Sequence, residues 1–393
     1  MMMKKSVAII ENLCERRLLE YDRLNEYLHR NDIQVCSDVN QAEVLLFFSC
    51  GMKEDDTHQK VKQSLEHGRT VVLIGCASSM MKFPKDDRLK LIPLRKLSLL
   101  DDLFTPKIPF DRIPESVYSR YNHVKIKTYD EAVNTWDPRL FTPACQDVYS
   151  LKISTGCSRR CSYCAIRKAI GGLYSIRLKD ITSEMEVALQ KGYRHFRFQC
   201  ENLSAYGEDH GVNLGVLLDA LCQIKAPFDI DLPDLHPDGF IKYFDSIYRL
   251  VKNKNVYQIH IPIQSGSHQV LKKMAREYDV DELISKIKLL RQITDTSIIG
   301  TDIIVGFPSE SESDFEKTCH LLESIHFDPL YVHGYYDKEG TLAAKMDNKV
   351  SSDIIERRIK MLQAQYPHAA SYLNQYFEGR TTKNEVYYGE STI

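Results

Sequence analysis

The chain alternates strand-like and helix-like segments in two successive series, and this alternation restricts its fold more than any other feature. In the first series the apolar runs "SVAII", "AEVLLFFSC" and "TVVLIGC" are typical of buried strands, and amphipathic segments separate them. The second series begins at about residue 148 and contains six strand-like segments, the last of which is "PLYVHGYY". We therefore predict an α/β protein, with an N-terminal open parallel-sheet domain followed by a partial (β/α)6 barrel.

The length and composition leave room for two such domains. The chain has 393 residues, of which 43% are hydrophobic and 27% are charged, as is usual for globular proteins. We place the first domain at residues 1–140 and the barrel at 145–376, with an amphipathic helix from residue 352 to about 376. We expect residues 377–393 to form a short C-terminal tail.

Charge and hydropathy exclude several classes of protein. The formal net charge is −2, so no overall positive field demands a nucleic acid partner, although a local patch could bind one. The N-terminal segment lacks a signal-peptide core, and no window approaches the roughly twenty apolar residues of a membrane span. We therefore expect a cytoplasmic protein without a membrane partner. Eleven cysteines are many for that compartment, where disulfides are rare, so metal or redox chemistry explains them better.

Three cysteines lie close together after the first strand of the second series. Cys157, Cys161 and Cys164 form the pattern CxxxCxxC at the carboxyl end of that strand, where barrel active sites lie. Structural zinc sites use four protein ligands, and no fourth cysteine or histidine follows nearby. Three thiolates on a cubane iron–sulfur cluster would leave one iron open to another molecule. The alternatives are three free thiols in a tight loop, or a zinc site completed by a distant residue.

A second trio of cysteines occupies the ends of the N-terminal strands. Cys14 follows the first strand, Cys50 closes "VLLFFSC" and Cys76 closes "VVLIGC". Their spacings of 36 and 26 residues are too long for a local metal knuckle, so only the fold could bring them into one site. The carboxyl ends of parallel strands share one edge of a sheet, and that edge can bring the three together.

Further motifs extend along the chain. Tyr163 precedes the last cysteine of the first-named triplet. Other segments are "CENLSAYG" at 200–207, "HP" at 236–237, "IPIQSGSHQVLKKMAR" at 261–276, "TDIIVGFPSESESDF" at 301–315 and "GTLAAKM" at 340–346. With these motifs the chain resembles the radical SAM superfamily and, within it, the methylthiotransferases. The resemblance covers about residues 5–375.

The resemblance implies two 4Fe-4S clusters and S-adenosylmethionine. The triplet "GCSRRCSYC" would hold a cluster whose open iron binds S-adenosylmethionine, which is then cleaved to a 5'-deoxyadenosyl radical. The N-terminal trio would hold an auxiliary cluster that carries the transferred sulfur, and both open irons would face one cavity. The residues expected to contact S-adenosylmethionine are Tyr163, Glu201, Asn202, Gln264, Ser265, Arg276 and Gly306. For each of these, an ordinary loop position is the alternative.

Two of these residues have a specific expected role. Arg276 is the candidate partner of the methionine carboxylate, because a guanidinium group binds carboxylates with two parallel hydrogen bonds. Gly306 in "IIVGFP" would let the adenine approach the main chain, as glycine does where a ligand contacts backbone.

The resemblance therefore implies an enzyme that inserts sulfur, as a methylthio group, at an unactivated C–H bond. Family enzymes close with a small β-barrel, the TRAM domain, which grips the substrate, whereas residues 377–393 offer room for one or two strands only. This favours a peptide, protein or small-molecule substrate, with a flavodoxin or ferredoxin as electron donor. The alternatives are a tRNA adenosine methylthiotransferase, a radical SAM enzyme whose auxiliary cluster gives a different outcome, and a noncatalytic iron–sulfur sensor.

Overall fold

Two compact units make up the chain. The computed structural model describes residues 6–12, 17–51, 54–115, 148–294, 298–327, 330–366 and 370–372. Unit 1 comprises Met1–Tyr121 with Ala165–Gly172, and unit 2 comprises Asn122–Cys164 with Leu173–Ile393. The domain boundary expected near residue 140 and the tail expected at 377–393 lie outside the described residues, so both stay predictions.

Unit 1 contains a four-stranded parallel sheet with the strand order β1-β2-β3-β4. Its strands are β1 (Val7–Asn12), β2 (Val44–Ser49), β3 (Thr70–Ile74) and β4 (Leu89–Ile92). Its described α-helices are α1 (Leu18–Arg30), α2 (Glu54–Glu66), α3 (Cys76–Met80), α4 (Asp101–Phe104) and α5 (Ile166–Ala169). The strand order confirms the predicted open parallel sheet, and β4 adds a strand that the sequence pattern did not indicate.

Helix α1 is one of the amphipathic segments, and it covers this sheet with its apolar face. Tyr21, Leu24 and Leu28 recur three or four residues apart, and each is at most 3% exposed. The ring of Tyr21 packs edge-on against Phe48 of β2, with 5.8 Å between the ring centroids. The apolar face of α1 therefore forms part of the core beside β2.

Helix α5 follows the cysteine triplet in sequence, yet it packs in unit 1. Ala169 and Ile170 are buried in the same apolar cluster as Leu97. Arg95 donates a hydrogen bond to the carbonyl oxygen of Gly172, which fixes the end of the segment. The chain directly after the triplet is thus part of the core of unit 1, a placement that local sequence patterns do not reveal.

Unit 2 is built on a seven-stranded parallel sheet with the order β13-β12-β11-β10-β9-β8-β5. Its strands are β5 (Val148–Lys152), β8 (His195–Gln199), β9 (Asp229–Leu232), β10 (Asn255–His260), β11 (Ile298–Val305), β12 (Leu330–Gly334) and β13 (Ala370–Tyr372). A separate antiparallel pair is formed by β6 (Ser154–Thr155) and β7 (Tyr174–Ser175). In chain order, the first six strands of the large sheet, from β5 to β12, are those of the predicted series. A partial barrel requires such a series of parallel strands.

Helices connect these strands along the chain. They are α6 (Leu178–Gln190), α7 (Leu214–Gln223), α8 (Pro237–Lys242), α9 (Phe244–Asn253), α10 (His268–Lys273), α11 (Val280–Arg291), α12 (Glu312–Ser324) and α13 (Ser352–Gln365). Among the described residues, no helix combines the length and apolar character needed to cross a bilayer.

The last helix is shorter than expected. Helix α13 ends at Gln365, whereas the sequence pattern predicted a helix to about residue 376. Tyr366 precedes Pro367, and the residue before a proline avoids the helical backbone region. The segment Ala370–Tyr372 pairs in parallel with β12 instead, so the prediction of helix at these residues was wrong.

The two faces of the large sheet differ in chemistry. Along β8, Phe196 and Phe198 alternate with Arg197, and all three are buried. Arg197 forms an ion pair with Asp231 on the neighbouring β9, with 3.0 Å between Nε and Oδ2. Because successive side chains of a strand point to opposite faces, one face is apolar and the other carries charged pairs. The polar face continues across the sheet to Asp302 of β11.

Candidate functional site

The cysteine triplet lies in the loop that follows β5 and β6. Gly156 turns the chain with a φ of 79°, a left-handed value that glycine adopts at little steric cost. The amide of Cys164 donates a hydrogen bond to the carbonyl oxygen of Cys161 at 3.1 Å, which closes a tight turn. Cys157 and Cys161 are partly exposed, and Cys164 is exposed. The loop therefore presents three thiols within one short stretch.

Hydrogen bonds from other segments of unit 2 hold this loop. Ser162 donates from its Oγ to the carbonyl oxygen of Lys273 at 2.8 Å and from its amide to the carbonyl oxygen of Met274 at 2.9 Å. The carbonyl oxygen of Ser162 accepts a hydrogen bond from the amide of Ala343 at 2.9 Å. The loop is thereby tied to the segments "LKKMAR" and "GTLAAKM", which the sequence analysis singled out.

Three N–H donors point at sulfur atoms of the triplet. The amide nitrogen of Arg159 lies 3.4 Å from Cys157 Sγ, and Asn202 Nδ2 lies 3.7 Å from the same sulfur. Arg276 Nη1 lies 3.6 Å from Cys161 Sγ. Burial raises the pKa of the Cys157 thiol, and the donors of Arg159 and Asn202 oppose that shift because they stabilise the thiolate.

The donor set of the loop suits an iron–sulfur cluster. Within the described ranges, no three His, Cys, Asp or Glu side chains are grouped so that they could hold a metal ion. In a cubane cluster each thiolate binds a different iron, so the three sulfurs need not converge on one point. Three cysteine thiols in one loop, with N–H groups aimed at two of the sulfurs, are a suitable donor set for such a cluster.

Two of the predicted cofactor contacts follow β8 and lie beside the loop. The carboxylate of Glu201 accepts a hydrogen bond from the amide of Gly156. Asn202 is 4% exposed, and its Oδ1 accepts a hydrogen bond from the amide of Ser204 at 3.1 Å. Both side chains therefore help to shape the loop, and their contact with S-adenosylmethionine stays a prediction.

Three further predicted contacts lie after β10 and β11. Gln264 has a left-handed φ of 78°, and its backbone amide donates a hydrogen bond to the carbonyl oxygen of Asp302 in β11 at 2.7 Å. Ser265 Oγ lies 3.4 Å from Thr318 Oγ1 of α12. Gly306 also has a φ of 78°, and a Cβ at this position would lie 2.2 Å from Ile355 Cγ1. Each residue thus has a structural role in unit 2, while its contact with a cofactor stays a prediction.

Tyr163 of the loop is half-buried, and Arg276 beside the loop is buried. Burial raises the pKa of the Tyr163 hydroxyl well above its ordinary value, and the charge of Arg276 only partly opposes this. Arg276 is 5% exposed and also donates a hydrogen bond to the carbonyl oxygen of Pro262. The structure therefore directs this guanidinium towards the triplet.

A row of acidic and imidazole side chains crosses neighbouring strand ends, and the sequence analysis missed it. Asp302 lies between two histidines, with His333 Nε2 at 2.9 Å from Oδ1 and His260 Nε2 at 3.2 Å from Oδ2. His260 Nδ1 lies 3.9 Å from Asp234 Oδ1. Burial alone would raise the pKa of Asp302, but the two histidines hold it well below its ordinary value. Polar residues inside otherwise apolar strand segments were the signal for this row.

His236 of the "HP" motif is a further buried polar group. It is 6% exposed, and its Nδ1 lies 2.6 Å from Asp238 Oδ1, while its Nε2 has no hydrogen-bond partner within the described part of the chain. Burial lowers the pKa of His236 to about 4, so the ring is neutral near pH 7. Asp238 also forms an ion pair with Arg159 of the cysteine loop at 3.0 Å.

Two of the N-terminal cysteines meet at one edge of the sheet of unit 1. Cys50 directly follows β2, and Cys76 begins α3 after the adjacent β3. Both are buried, and a Cβ placed on Gly51 would lie 3.4 Å from the Cβ of Cys76. Cys14 lies outside the described residues, so the predicted trio is seen only in part.

The chain is similar to known proteins over most of its length. Residues 151–322 match the family model of the radical SAM superfamily. A probable threonylcarbamoyladenosine tRNA methylthiotransferase of Pyrococcus horikoshii is 29% identical over 95% of this chain and 87% of the relative. A tRNA-2-methylthio-N(6)-dimethylallyladenosine synthase of Fusobacterium nucleatum is 26% identical over 96% of this chain and 87% of the relative.

Solved structures show the same fold at lower sequence identity. The radical S-adenosylmethionine methyltransferase TsrM from Kitasatospora setae, with cobalamin and a [4Fe-4S] cluster bound, has a TM-score of 0.55 and 12% identity. That similarity covers 87% of this chain and 77% of TsrM. At this level of identity the likeness concerns the fold alone.

Proposed function

We propose that this chain, a radical SAM enzyme of the methylthiotransferase kind, transfers a methylthio group to an adenosine of tRNA. The observation that supports the substrate most directly is the similarity over 95% of the chain to a relative named as a tRNA methylthiotransferase. The relatives support the tRNA alternative better than the expected peptide, protein or small-molecule substrate, because they are named as tRNA-modifying enzymes.

The residues of unit 2 would serve one cofactor assembly, a 4Fe-4S cluster with S-adenosylmethionine. When bound, this assembly supplies the one-electron cleavage that produces a carbon radical. Cys157, Cys161 and Cys164 would each bind one iron. Glu201 fixes the Gly156 amide and so holds the start of the loop, because the carboxylate accepts its hydrogen bond. The anchored loop would keep the fourth iron in one place relative to the strand ends.

A second cluster in unit 1 forms part of this proposal. Cys50 and Cys76 lie side by side at the carboxyl edge of the parallel sheet, where ligands of such sheets bind. Cys14 would complete a set of three thiolates, again with one iron left for a group that the protein does not provide. The electron for the reaction would come from a small carrier such as a flavodoxin or ferredoxin.

The test compares tRNA from cells that contain the wild-type protein, a Cys161→Ser variant or no copy of the gene. Nucleosides from each tRNA pool are separated and weighed by mass spectrometry. We expect an adenosine derivative heavier by a methylthio group only with the wild-type protein. Cys222→Ser serves as the matched control, because Cys222 lies on α7 and belongs to neither predicted trio.

Mass spectrometry of the proteins of the same cells and an assay of the reconstituted enzyme decide between the functions. A methylthio adduct on a peptide or a protein, with unchanged tRNA, would reject the tRNA substrate and restore the first expectation. Reconstituted protein that releases no 5'-deoxyadenosine from S-adenosylmethionine would instead favour an iron–sulfur sensor.

A further inference from the structure

Four cations of unit 1 lie on two segments that pack against each other. Arg95 and Lys96 belong to the 3-10 helix Leu94–Leu100, and Arg167 and Lys168 belong to α5. The apolar residues of both segments are buried in one cluster, whereas the four charged side chains are exposed. We call these four residues the basic surface.

Contacts between the two segments hold the charges close together. Arg95 donates a hydrogen bond to the carbonyl oxygen of Gly172. A Cβ on Gly171 would lie 2.9 Å from the guanidinium carbon of Arg95, so the guanidinium lies directly on this glycine. The amide of Gly171 donates a hydrogen bond to the carbonyl oxygen of Arg167 at 3.0 Å. The guanidinium of Arg95 is therefore fixed at the end of α5, the helix that carries the other two cations.

Nearby acidic residues do not balance these charges. Residues 88–100 and 164–179 each contain four Lys or Arg and no Asp or Glu, although the net charge of the whole chain is −2. Among the described residues, no carboxylate lies within ion-pair distance of Arg95, Lys96 or Lys168. Clustered positive charge without acidic partners attracts an anionic molecule.

The phosphate backbone of RNA is an anion that matches this surface. Lys and Arg bind phosphate oxygens, and such contacts supply most of the affinity of proteins for nucleic acids. Neighbouring charges on two segments suit phosphates that follow one another along a strand. Arg167 is the third residue after Cys164, so the basic surface begins in the chain where the cysteine loop ends.

We propose that the basic surface of unit 1 binds the phosphate backbone of the tRNA substrate. The inference rests on the proposed function for the identity of the nucleic acid. It gives unit 1 a direct part in holding the substrate, in addition to the cluster proposed for its cysteines. An acidic electron carrier is the other partner that such a surface could attract, and the experiment below distinguishes the two.

The test measures how tightly the reconstituted holoenzyme binds tRNA prepared from cells without the gene, at several salt concentrations. The double variant Lys96→Gln, Lys168→Gln removes two charges from exposed positions. We expect it to bind this tRNA about tenfold more weakly at about 0.1 M salt, because two phosphate contacts are lost. The slope of log K against log salt concentration should become less steep by about two.

Three controls keep the result decisive. Lys96→Arg with Lys168→Arg keeps both charges and should retain the wild-type affinity and slope. Lys62→Gln removes a charge from α2 of the same unit, where the side chain is 78% exposed, and should leave tRNA binding unchanged. Urea midpoints of all variants show whether they are folded. If the double variant is less stable, Lys168→Gln alone replaces it, with an expected change in slope of about one.

The opposite outcomes are also defined. If the double variant binds tRNA like the wild type, the inference is wrong and the proposed substrate stands. If it also accepts electrons more slowly from reduced flavodoxin, the basic surface binds the electron carrier instead. A wild-type protein that does not bind tRNA overturns the inference and the proposed function together. Weaker binding by the double variant, with a wild-type protein that forms no methylthio adduct on tRNA, leaves the inference standing and rejects the proposed activity.

Discussion

Ser309 has a backbone conformation that L-amino acids avoid. Its φ is 66°, and its amide donates to the carbonyl oxygen of Asn348 at 2.8 Å. A residue with a Cβ costs roughly 1–2 kcal/mol in the left-handed region. Glycine avoids this cost, but its greater conformational freedom in the unfolded chain offsets part of the gain. We expect Ser309→Gly to raise the free energy of unfolding by about 0.5–1 kcal/mol, measured by urea denaturation of the apo protein. Ser309→Ala keeps the Cβ and should change it by less than about 0.5 kcal/mol.

Glu310 is a buried carboxyl group whose ionisation affects stability. Burial raises the pKa of Glu310 from 4.5 to about 7, although the Gly306 amide and Arg358, at 2.6 Å, oppose this. The folded protein therefore holds this proton more tightly than the unfolded chain does. The resulting stabilisation is complete below pH 4.5 and is lost as the pH rises through about 7.

The raised pKa of Glu310 predicts that the free energy of unfolding depends differently on pH in the wild type and in Glu310→Gln. Relative to the wild type, Glu310→Gln should gain stability as the pH rises from 4.5 to about 7, since its amide does not ionise. Urea midpoints at several pH values measure the effect. Glu356→Gln is the matched control, because the side chain of Glu356 is 52% exposed on α13. Parallel profiles for the wild type and Glu310→Gln would contradict the assignment.

At the level of elements, β11 and α13 are in contact where Gly306 ends the strand. A Cβ on Gly306 would lie 2.2 Å from Ile355 Cγ1, and the φ of 78° adds strain for any other residue. We expect Gly306→Ala to lower the free energy of unfolding by at least about 2 kcal/mol, from overpacking and backbone strain together.

A double-mutant cycle separates these two causes. In an Ile355→Ala background the clash is removed, so the added effect of Gly306→Ala should fall to about 1 kcal/mol, the backbone part alone. If the background makes no difference, helix packing is not why glycine is needed. The expected approach of adenine would then be the better explanation of this residue.

The elements that sequence analysis identified share one property, which is that their signal is local. The buried strands β2 and β3 are continuous apolar runs, and α1 carries its apolar side chains at helical spacing. The strand Ala370–Tyr372 was missed because pairing with β12 creates it. The contacts of Asp302 with two histidines were missed for the same reason, since they join residues more than thirty positions apart.

In the candidate site, too, local features could be predicted from the sequence and long-range contacts could not. Spacing alone identified Cys157, Cys161 and Cys164 as one group, because they lie in a single loop. The family resemblance also suggested Asn202 and Arg276, as cofactor contacts, but only the fold shows that their donors point at sulfur atoms. Sequence therefore predicts which residues surround the loop better than what each of them contacts.

At the scale of the whole molecule, the segment after the triplet contributes to the stability of unit 1. Ile170 is 3% exposed in an apolar cluster that also contains Cys76 and Leu97. Ile170→Ala should lower the stability of unit 1 by about 2–5 kcal/mol, because it leaves a cavity in that core. Hydrogen exchange of β2 and β3 amides measures this, and Val187→Ala, at a 41% exposed position in unit 2, should leave their exchange unchanged.

The number of clusters is the property on which the proposed chemistry of the whole chain depends. If each trio holds its own cluster, Cys76→Ser and Cys161→Ser should each lower the iron and sulfide content by about half after anaerobic reconstitution. Only Cys161→Ser should also abolish release of 5'-deoxyadenosine, because the triplet alone would bind S-adenosylmethionine. Cys319→Ser, on α12, should retain full iron. Unchanged iron in Cys76→Ser would mean that unit 1 holds no cluster, and the sulfur would then need another source.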